Sequence, residues 1–361
     1  MRRTHFEAFA PACPCCTRDG RGRHALVLAT VGAERDGDVL AGILHCSNPA
    51  CQHEYPILDG IPVIVPDLRA LLQERGVELL VREDLDPALE SLLGDALGPG
   101  TWFDAIRQTL STYGWDGWAD LDPEEVAAEG GPVPGAVRRC LVRLLAMAGP
   151  APARRVLDLG CAAGRTSFDL AARHPDALVL GVDRNLALLR LARRAGEGVL
   201  SYPRRRIGLV YDRRRFPVAP EGGARVDFWA CDALALPFAP GAADFAAALN
   251  LLDCVAEPRR LLAGLAEAVR PGGRVLLATP YDWSTRATPV DTWIGGHSQR
   301  AEHRGAGEPF LRALLREGAH EQSVPGLRVV EEADLPWQTR LHDRSAMLYR
   351  THLLALARTD A

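Results

Sequence analysis

The stretch "VLDLGCAAGRTSFDLA", residues 156–171, constrains the fold of this chain more than any other. An apolar run passes through Asp158, a turn carries Gly160 and Gly164, and a helical pattern follows. This is the order in which a buried strand leads through a glycine turn into a helix. From Arg154 onward strands and helices alternate, which predicts βαβ units and a mostly parallel sheet with helices on both faces.

The pattern predicts a doubly wound α/β fold with a seven-stranded Rossmann-like sheet. Five strands are expected at "RRVLDL", "ALVLGVD", "VDFWAC", "ADFAAALNL" and "RVLLATP". Two more, "LRVVEEADLPW" and "SAMLYRTHLLALAR", should add an antiparallel edge at the C-terminal end. We expect three regions: a small β domain at 1–67, a helical linker or lid at 68–148, and the α/β domain at 149–361.

Composition excludes several classes of function. No apolar run approaches the roughly 20 residues that cross a membrane, and the first residues lack the apolar stretch of a secretory signal. These features predict a soluble, cytoplasmic protein. All 42 basic side chains are arginines. Schiff-base chemistry and a P-loop both need a lysine amine, so the sequence excludes them.

The cysteines near the N-terminus indicate a metal site. Cys13 and Cys16 form a C-x-x-C pair, and Cys46 and Cys51 form a looser pair after an apparent hairpin. Four thiolates brought together at two such corners can bind a structural zinc ion. Two alternatives remain open: a remnant that binds no metal, and a site in which His45 or His53 replaces one thiolate.

Three acids lie within or at the ends of the first three strands of the α/β region. Asp158 would suit a ligand with a positive amino-acid end, and Asp183 in "GVDRN" could accept both hydroxyl protons of a ribose. Asp232 in "ACDALALPF" would lie within reach of an adenine amino group. Each acid alone could equally be a helix cap or turn residue, but the ordered set is more specific.

These motifs, with "NLLDCV" and "RPGGRVLLATP", resemble the class I S-adenosylmethionine (SAM)-dependent methyltransferases over about 200 residues. The resemblance implies SAM as the cofactor. The predicted SAM-binding residues are Asp158, Gly160, Ala162, Gly164, Asp183, Arg184, Asp232, Ala233 and Asn250.

The segment after the fifth strand, "TPYDWSTRATPVDTWIGG", is where such enzymes build the acceptor pocket. Tyr281, Trp283 and Trp293 are the predicted substrate-binding residues, since aromatic faces could sandwich a planar ring or favour a cation. They could also be ordinary core aromatics. We predict Asp253, Tyr281 and His297 as catalytic residues, with His297 as a general base if the acceptor is a hydroxyl or a protonated amine.

The α/β region, 149–361, also resembles the 4-mercaptohistidine N-methyltransferases of ovothiol biosynthesis, through "GCAAGRTSFDLA", "TWIGG" and "ADLPWQTRLHDR". This resemblance implies N-methylation of an imidazole or amine on a small, histidine-like or natural-product substrate. The chain departs from that family by its N-terminal cysteine module.

The N-terminal module resembles the zinc-ribbon activator subunits of tRNA and protein methyltransferases through "YPILDGIP". That resemblance implies zinc and a possible protein partner. The alternative function is methylation of an rRNA or tRNA base, since bacterial rRNA guanine methyltransferases pair a zinc ribbon with this fold. The triplets at 204–206 and 213–215 could contact phosphates, but the net charge of −4 makes nucleic acid an unfavoured partner.

Overall fold

The computed structural model describes residues 1–80, 87–126 and 129–360. The region predicted as a helical linker, 68–148, therefore lies partly outside the described residues. Within the described ranges, no helix combines the length and the apolar character that crossing a bilayer demands.

An eleven-stranded mixed sheet forms the centre of the molecule. Its order is β1-β2-β3-β4-β9-β6-β5-β10-β11-β13-β12. The strands are β1 Leu26–Arg35, β2 Asp38–Cys46, β3 Glu54–Leu58, β4 Ile61–Ile64, β5 Arg155–Leu159, β6 Leu178–Asp183, β9 Val226–Cys231, β10 Ala243–Leu249, β11 Val269–Thr279, β12 Leu327–His342 and β13 Ser345–Arg358. A separate antiparallel hairpin joins β7 Val199–Ile207 to β8 Val210–Pro217.

The helices pack on both faces of the sheet, as the alternating pattern predicts. They are α1 Arg3–Phe9, α2 Pro14–Arg18, α3 Leu68–Leu80, α4 Pro87–Leu97, α5 Trp102–Trp118, α6 Ala136–Ala148, α7 Arg165–Arg173, α8 Leu186–Gly196, α9 Pro258–Ala268 and α10 Gly307–Leu314. Buried residues of α6, α7 and α8 belong to the core on one face, and those of α9 and α10 belong to the core on the other.

The expected sheet of seven strands is wrong in one respect, because the N-terminal β module continues it. Val63 and Ile64 of β4 pair in parallel with Ala230 and Cys231 of β9. The module therefore shares backbone hydrogen bonds with the α/β sheet instead of standing beside it. The pairing covers the edge of β9, which would otherwise expose unpaired N–H and C=O groups.

Strand direction decides where a ligand can bind. Strands β9, β6, β5, β10 and β11 run parallel, so their carboxyl ends lie at one edge. The chain passes from β5 to β6 on one side and later to β10 on the other. This reversal opens a crevice beyond the carboxyl ends of β5 and β10, which is where open α/β sheets bind ligands.

Candidate active site

The glycine turn after β5 is held in a conformation that favours small residues. Gly160 and Gly164 have φ of 70° and 79°, and Ala162 between them has φ of 46°. A Cβ atom on Gly164 would lie 2.6 Å from the Ala192 Cβ and 2.8 Å from a ring carbon of Phe228. Both the backbone angle and the close packing therefore require glycine at position 164.

Asp183, at the end of β6, ties this turn to the next one. Its Oδ2 accepts a hydrogen bond from the Ala162 backbone N–H at 3.0 Å, and its Oδ1 accepts one from the Asn185 N–H at 2.8 Å. Burial raises the pKa of Asp183. Each carboxylate oxygen keeps a lone pair for a further donor, so a ligand's hydroxyl groups can bind here.

Asp158 is placed differently from the other two acids. Its side chain is buried, and its Oδ2 accepts hydrogen bonds from the Thr166 and Ser167 hydroxyls, both at 2.6 Å. Burial raises the pKa of Asp158 to about 6. The carboxylate thus fixes the first turn of α7 beneath the glycine turn, and its contact with a ligand stays a prediction.

The third acid lies at the end of the neighbouring strand. Asp232 follows β9, and its Oδ1 accepts a hydrogen bond from the Leu234 N–H at 2.9 Å. Asp232 and Ala233 are both half-buried, whereas Arg184 is exposed and its Nη2 lies 3.3 Å from Glu74 of α3. Their roles as ligand contacts stay predictions.

The helix α5 docks directly on the glycine turn. The Trp118 indole N–H donates to the Ala163 carbonyl at 2.9 Å, and Arg165 donates to the Gly117 carbonyl at 2.9 Å. Arg165 also forms an ion pair with Asp120 at 2.8 Å. The N-terminal helical region therefore covers this edge of the sheet. In the sequence, the only feature that marks this helix is its concentration of aromatic residues between 102 and 118. That feature did not indicate which of them would lie at the site.

Two buried oxygens near the end of β10 have no hydrogen-bond partner among the described residues. They are Asn250 Oδ1 and Asp253 Oδ1. The other oxygen of Asp253 accepts a hydrogen bond from the Asp282 N–H at 2.7 Å. Asp253 is 2% exposed, and its burial raises its pKa. A buried acceptor of this kind costs free energy unless a donor reaches it.

We use the name central cleft for the part of the crevice at the carboxyl ends of the strands whose edge carries Asp253, Cys254, Asp282 and Tyr349, with Tyr113 of α5 nearby. The Tyr349 hydroxyl donates to Asp282 Oδ2 at 3.0 Å. Desolvation raises the pKa of Tyr113, and the nearby Cys254, Asp183, Tyr349 and Asp253 groups raise it further, although 47% of the residue is exposed. Tyr113 of α5 therefore lies within electrostatic range of both Asp183 and the central cleft. Sequence reasoning did not identify Tyr113 or Tyr349.

Tyr281 points to a different set of partners. Its hydroxyl lies 2.7 Å from His352 Nδ1, and His352 Nε2 lies 3.2 Å from Glu332. The charges that act on Tyr281 come from Glu308 and Arg312 of α10 and from β12. The structure thus places this hydroxyl between α10 and β13, and its catalytic role stays a prediction.

The two predicted tryptophans pack on each other. Their ring centroids lie 6.2 Å apart at 15°, and the Trp293 N–H donates to the Thr288 carbonyl at 2.9 Å. A ring inserted between them would need about 7 Å, twice a van der Waals contact. Their expected role as two sides of a sandwich therefore does not fit, although their edges could still contact a substrate. His297 lies on an exposed loop, and its role as a base stays a prediction.

The four predicted metal ligands come together at the base of the N-terminal β module. The sulfur atoms of Cys13, Cys16, Cys46 and Cys51 lie within 4.8 Å of one another. Cys13 and Cys51 are 3.8 Å apart, and Cys16 and Cys46 are 3.7 Å apart. His53 lies beside the cluster, with Nδ1 3.2 Å from the Cys51 sulfur.

Three arginines of the two triplets form ion pairs inside the molecule. They lie on β7 and β8, where Arg204 pairs with Glu125 at 2.8 Å and Arg214 pairs with Asp122 at 2.7 Å. Arg213 pairs with Glu90 of α4. The hairpin therefore holds the helical region in place. A phosphate could bind these three arginines only by competing with the carboxylates that already pair with them.

Comparison with known proteins agrees with this geometry. A family model described as a methyltransferase domain matches residues 157–277. The O-methyltransferase cnsE of Penicillium expansum is 30% identical over 276 residues, which cover 76% of this chain and 80% of that protein. The chain belongs to the class I SAM-dependent methyltransferases.

Other similarities are shorter or more distant. An O-methyltransferase of Pyrenophora dematioidea is 26% identical over 143 residues, 40% of this chain and 45% of that protein. Among solved structures, the chain is similar to the [4+2]-cyclase SpnF, with a TM-score of 0.44, 14% identity, and coverage of 75% of this chain and 97% of that one.

The residues present fit the cofactor of this methyltransferase. The Gly160–Gly164 turn exposes backbone close to the helix N-terminus, and Asp183 has acceptor capacity for a ribose. The unpartnered Asn250 Oδ1 is a buried acceptor at the same edge, where the amino group of SAM could donate. SAM is therefore the cofactor that these residues fit, and its contacts with the glycine turn, Asp183 and Asn250 stay predictions.

Proposed function

We propose that this methyltransferase transfers a methyl group from SAM to a heteroatom of a small molecule held in the central cleft, and that a hydroxyl is the best-supported acceptor. The observation that carries the proposal is Asp253. It is buried, one oxygen is fixed by the Asp282 N–H, and the other has no partner among the described residues.

That arrangement suits a general base. A hydroxyl must lose its proton before or while it attacks a methyl group, and a carboxylate with a raised pKa accepts that proton more readily. SAM supplies the activated methyl group when it is bound. The chain's own part is to orient the acceptor, to take its proton at Asp253 Oδ1, and to exclude water by docking α5 over the edge. The O-methyltransferase names of the relatives support a hydroxyl acceptor.

A ring nitrogen is the second candidate, as the resemblance to the 4-mercaptohistidine N-methyltransferases implies. An imidazole gains positive charge when it is methylated. Carboxylates at Asp253 and Asp282 would stabilise that charge, and a neutral imidazole needs no base. Support for an RNA base is weaker, because arginines of both triplets are engaged within the chain.

We also infer that the four cysteines bind a structural zinc ion. Four sulfurs at the usual Zn–S distance of about 2.3 Å in a tetrahedron lie about 3.8 Å apart. The two measured separations of 3.7 and 3.8 Å agree with that value. The ion would stabilise the N-terminal module, whose strand β4 pairs with β9 of the catalytic sheet. The module is thus docked on the methyltransferase domain of its own chain, where a zinc-ribbon activator subunit would be a separate protein.

The test of the proposed function compares Asp253→Asn with wild type on two acceptor panels, simple phenols and alcohols on one side and imidazoles on the other. Release of S-adenosylhomocysteine (SAH) is the readout, and Asp291→Asn, an exposed acid in the neighbouring loop, is the matched control. Loss of about 100-fold or more with hydroxyl acceptors supports Asp253 as the base. Turnover of imidazoles alone, unaffected by Asp253→Asn, would favour the second candidate.

A further inference from the structure

We propose that the central cleft binds an acceptor that carries a positive charge, with the carboxylate of Asp282, held by Tyr349, as the group that selects it. This inference rests on the proposed function and adds the charge class of the substrate. Its chemical class is a small alkylamine that carries an aromatic or heteroaromatic ring and is bound as an ammonium ion.

The position of Asp282 assigns it to the acceptor and not to SAM. Asp282 follows β11, which lies two strands from β5 in the sheet, and Tyr349 lies on β13, one strand further. With neighbouring strands about 4.8 Å apart, these groups lie roughly 10–15 Å from the glycine turn, on the side away from Asp183. Asp183 already holds the cofactor turn on the opposite side.

The geometry fixes the Asp282 carboxylate without neutralising it. The Tyr349 hydroxyl donates to Oδ2 at 3.0 Å, and a hydrogen bond from a phenol orients the group but leaves its charge. The Asp282 backbone N–H is bound to Asp253, so the turn that carries the side chain is held too. Asp282 itself is exposed and can be reached from the cleft.

Negative charge accumulates around this point. Asp253 is 2% exposed, with one oxygen that has no partner in the described ranges, and the Asp282 charge adds to burial in raising its pKa. Desolvation, together with the charges of Asp253, Asp282 and Asp183, raises the pKa of the Cys254 thiol to about 12, although the residue is exposed at the surface. A cation in the cleft would relieve this repulsion, whereas a carboxylate or phosphate would increase it.

The rim of the cleft is aromatic. Tyr113 of α5 is 47% exposed and adjoins Tyr349 and Asp253. Phenol rings offer a negative face to a cation and a hydroxyl to a hydrogen-bond donor. Tyr349 thus binds Asp282 and Tyr113 lies near Asp253, and two tyrosines beside two carboxylates are the composition expected of a site for a protonated amine.

The test uses pairs of probes that share a ring and differ in charge. Histamine is compared with 3-(imidazol-4-yl)propionate, and tyramine with 3-(4-hydroxyphenyl)propionate, by calorimetric titration into protein saturated with SAH. SAH has no sulfonium charge, so the comparison reports the acceptor side. We expect the amine of at least one pair to bind about tenfold or more tightly than its carboxylate partner.

Variants assign the preference to a residue. Asp282→Asn should reduce the preference for the amine over its carboxylate partner to less than about threefold, because most of the charge contribution is lost. Asp291→Asn should leave it unchanged. Circular dichroism checks that the variants fold. The proposal is overturned if neither amine binds, if the carboxylates bind equally well, or if Asp282→Asn keeps the full preference. Failure of SAH itself to bind would instead overturn the cofactor site on which the proposed function depends.

Discussion

Replacement of Gly164 by alanine tests whether the glycine turn is built as described. The new Cβ would meet Ala192 at 2.6 Å and Phe228 at 2.8 Å, in a backbone conformation with φ of 79°. A left-handed conformation costs a residue with a side chain about 1–2 kcal/mol. Overpacking of a tight core adds about 1–3 kcal/mol. We therefore expect Gly164→Ala to lower the free energy of unfolding by about 2–5 kcal/mol.

Gly135→Ala is the matched control. Gly135 also precedes a helix and has a similar backbone, with φ of 80° and ψ of 27° against 79° and 2° at Gly164. A Cβ there would meet neighbours no closer than 3.8 Å. Gly135→Ala should therefore lower the free energy of unfolding only by the cost of the left-handed backbone conformation, about 1–2 kcal/mol.

Urea unfolding followed by tryptophan fluorescence gives the comparison, provided that the dependence on urea is the same for both variants. Gly164→Ala should be the less stable variant by about 1–3 kcal/mol, the packing term alone. Equal stability of the two variants would show that the close contact with Ala192 and Phe228 does not exist, and the packing of α7 and α8 against the turn would need revision.

Two further predictions concern stability. Burial raises the pKa of Asp116 from its ordinary 3.8 to about 7. In the unfolded chain this carboxyl group loses its proton at a lower pH than in the folded protein. The free energy of unfolding therefore falls as pH rises between these two values, by as much as about 4 kcal/mol. Asp116→Asn, which keeps an oxygen to accept the Ala136 N–H, should flatten the profile of unfolding free energy between about pH 4 and 7, and an unchanged slope would contradict the assignment. Cys51→Ser should reduce bound zinc from one equivalent to a small fraction and lower the melting temperature, as metal analysis and calorimetry would show, whereas Cys254→Ser should retain the metal; equal zinc in both variants would refute the four-thiolate site.

Much of the catalytic sheet could be predicted from local pattern. Strands β5, β6, β9, β10 and β11 are short apolar runs that end in a turn residue, and such runs alternate with helices of period 3.6. The C-terminal hairpin was also predictable. The four cysteines lie at two corners of one β module, each corner carrying a closely spaced pair. Their spacing in the sequence was therefore sufficient to predict that they cluster.

The hairpin β7–β8 escaped prediction for a physical reason. Its residues, "VLSYPRRRI" and "VYDRRRFP", lack a clean alternation of apolar and polar side chains. Its arginines instead pair with Glu125, Asp122 and Glu90, which lie far earlier in the chain. Long-range ion pairs of this kind leave no local signal, and the sequence therefore left a contact with phosphates open.

The central cleft was only partly predictable, because its residues come from distant segments. Asp253 follows a recognisable strand, so its position was accessible. Tyr349 of β13 reaches Asp282 only after β13 enters the sheet, and Tyr113 of α5 comes near Asp253 only after α5 docks on the turn. The extension of the sheet by β4 depends in the same way on a pairing between residues 63–64 and 230–231.

The most direct test of the central claim is a calorimetric titration of SAH into wild-type protein and into Asp183→Asn. In this account one carboxylate holds the glycine turn and accepts the ribose hydroxyls, and an amide replaces an acceptor with a donor. Wild type should bind SAH, and Asp183→Asn should bind it about 10- to 100-fold more weakly, the cost of about 1–3 kcal/mol for losing a buried acceptor. Equal affinity in the two proteins would contradict the placement of the cofactor at the carboxyl ends of β5 and β6.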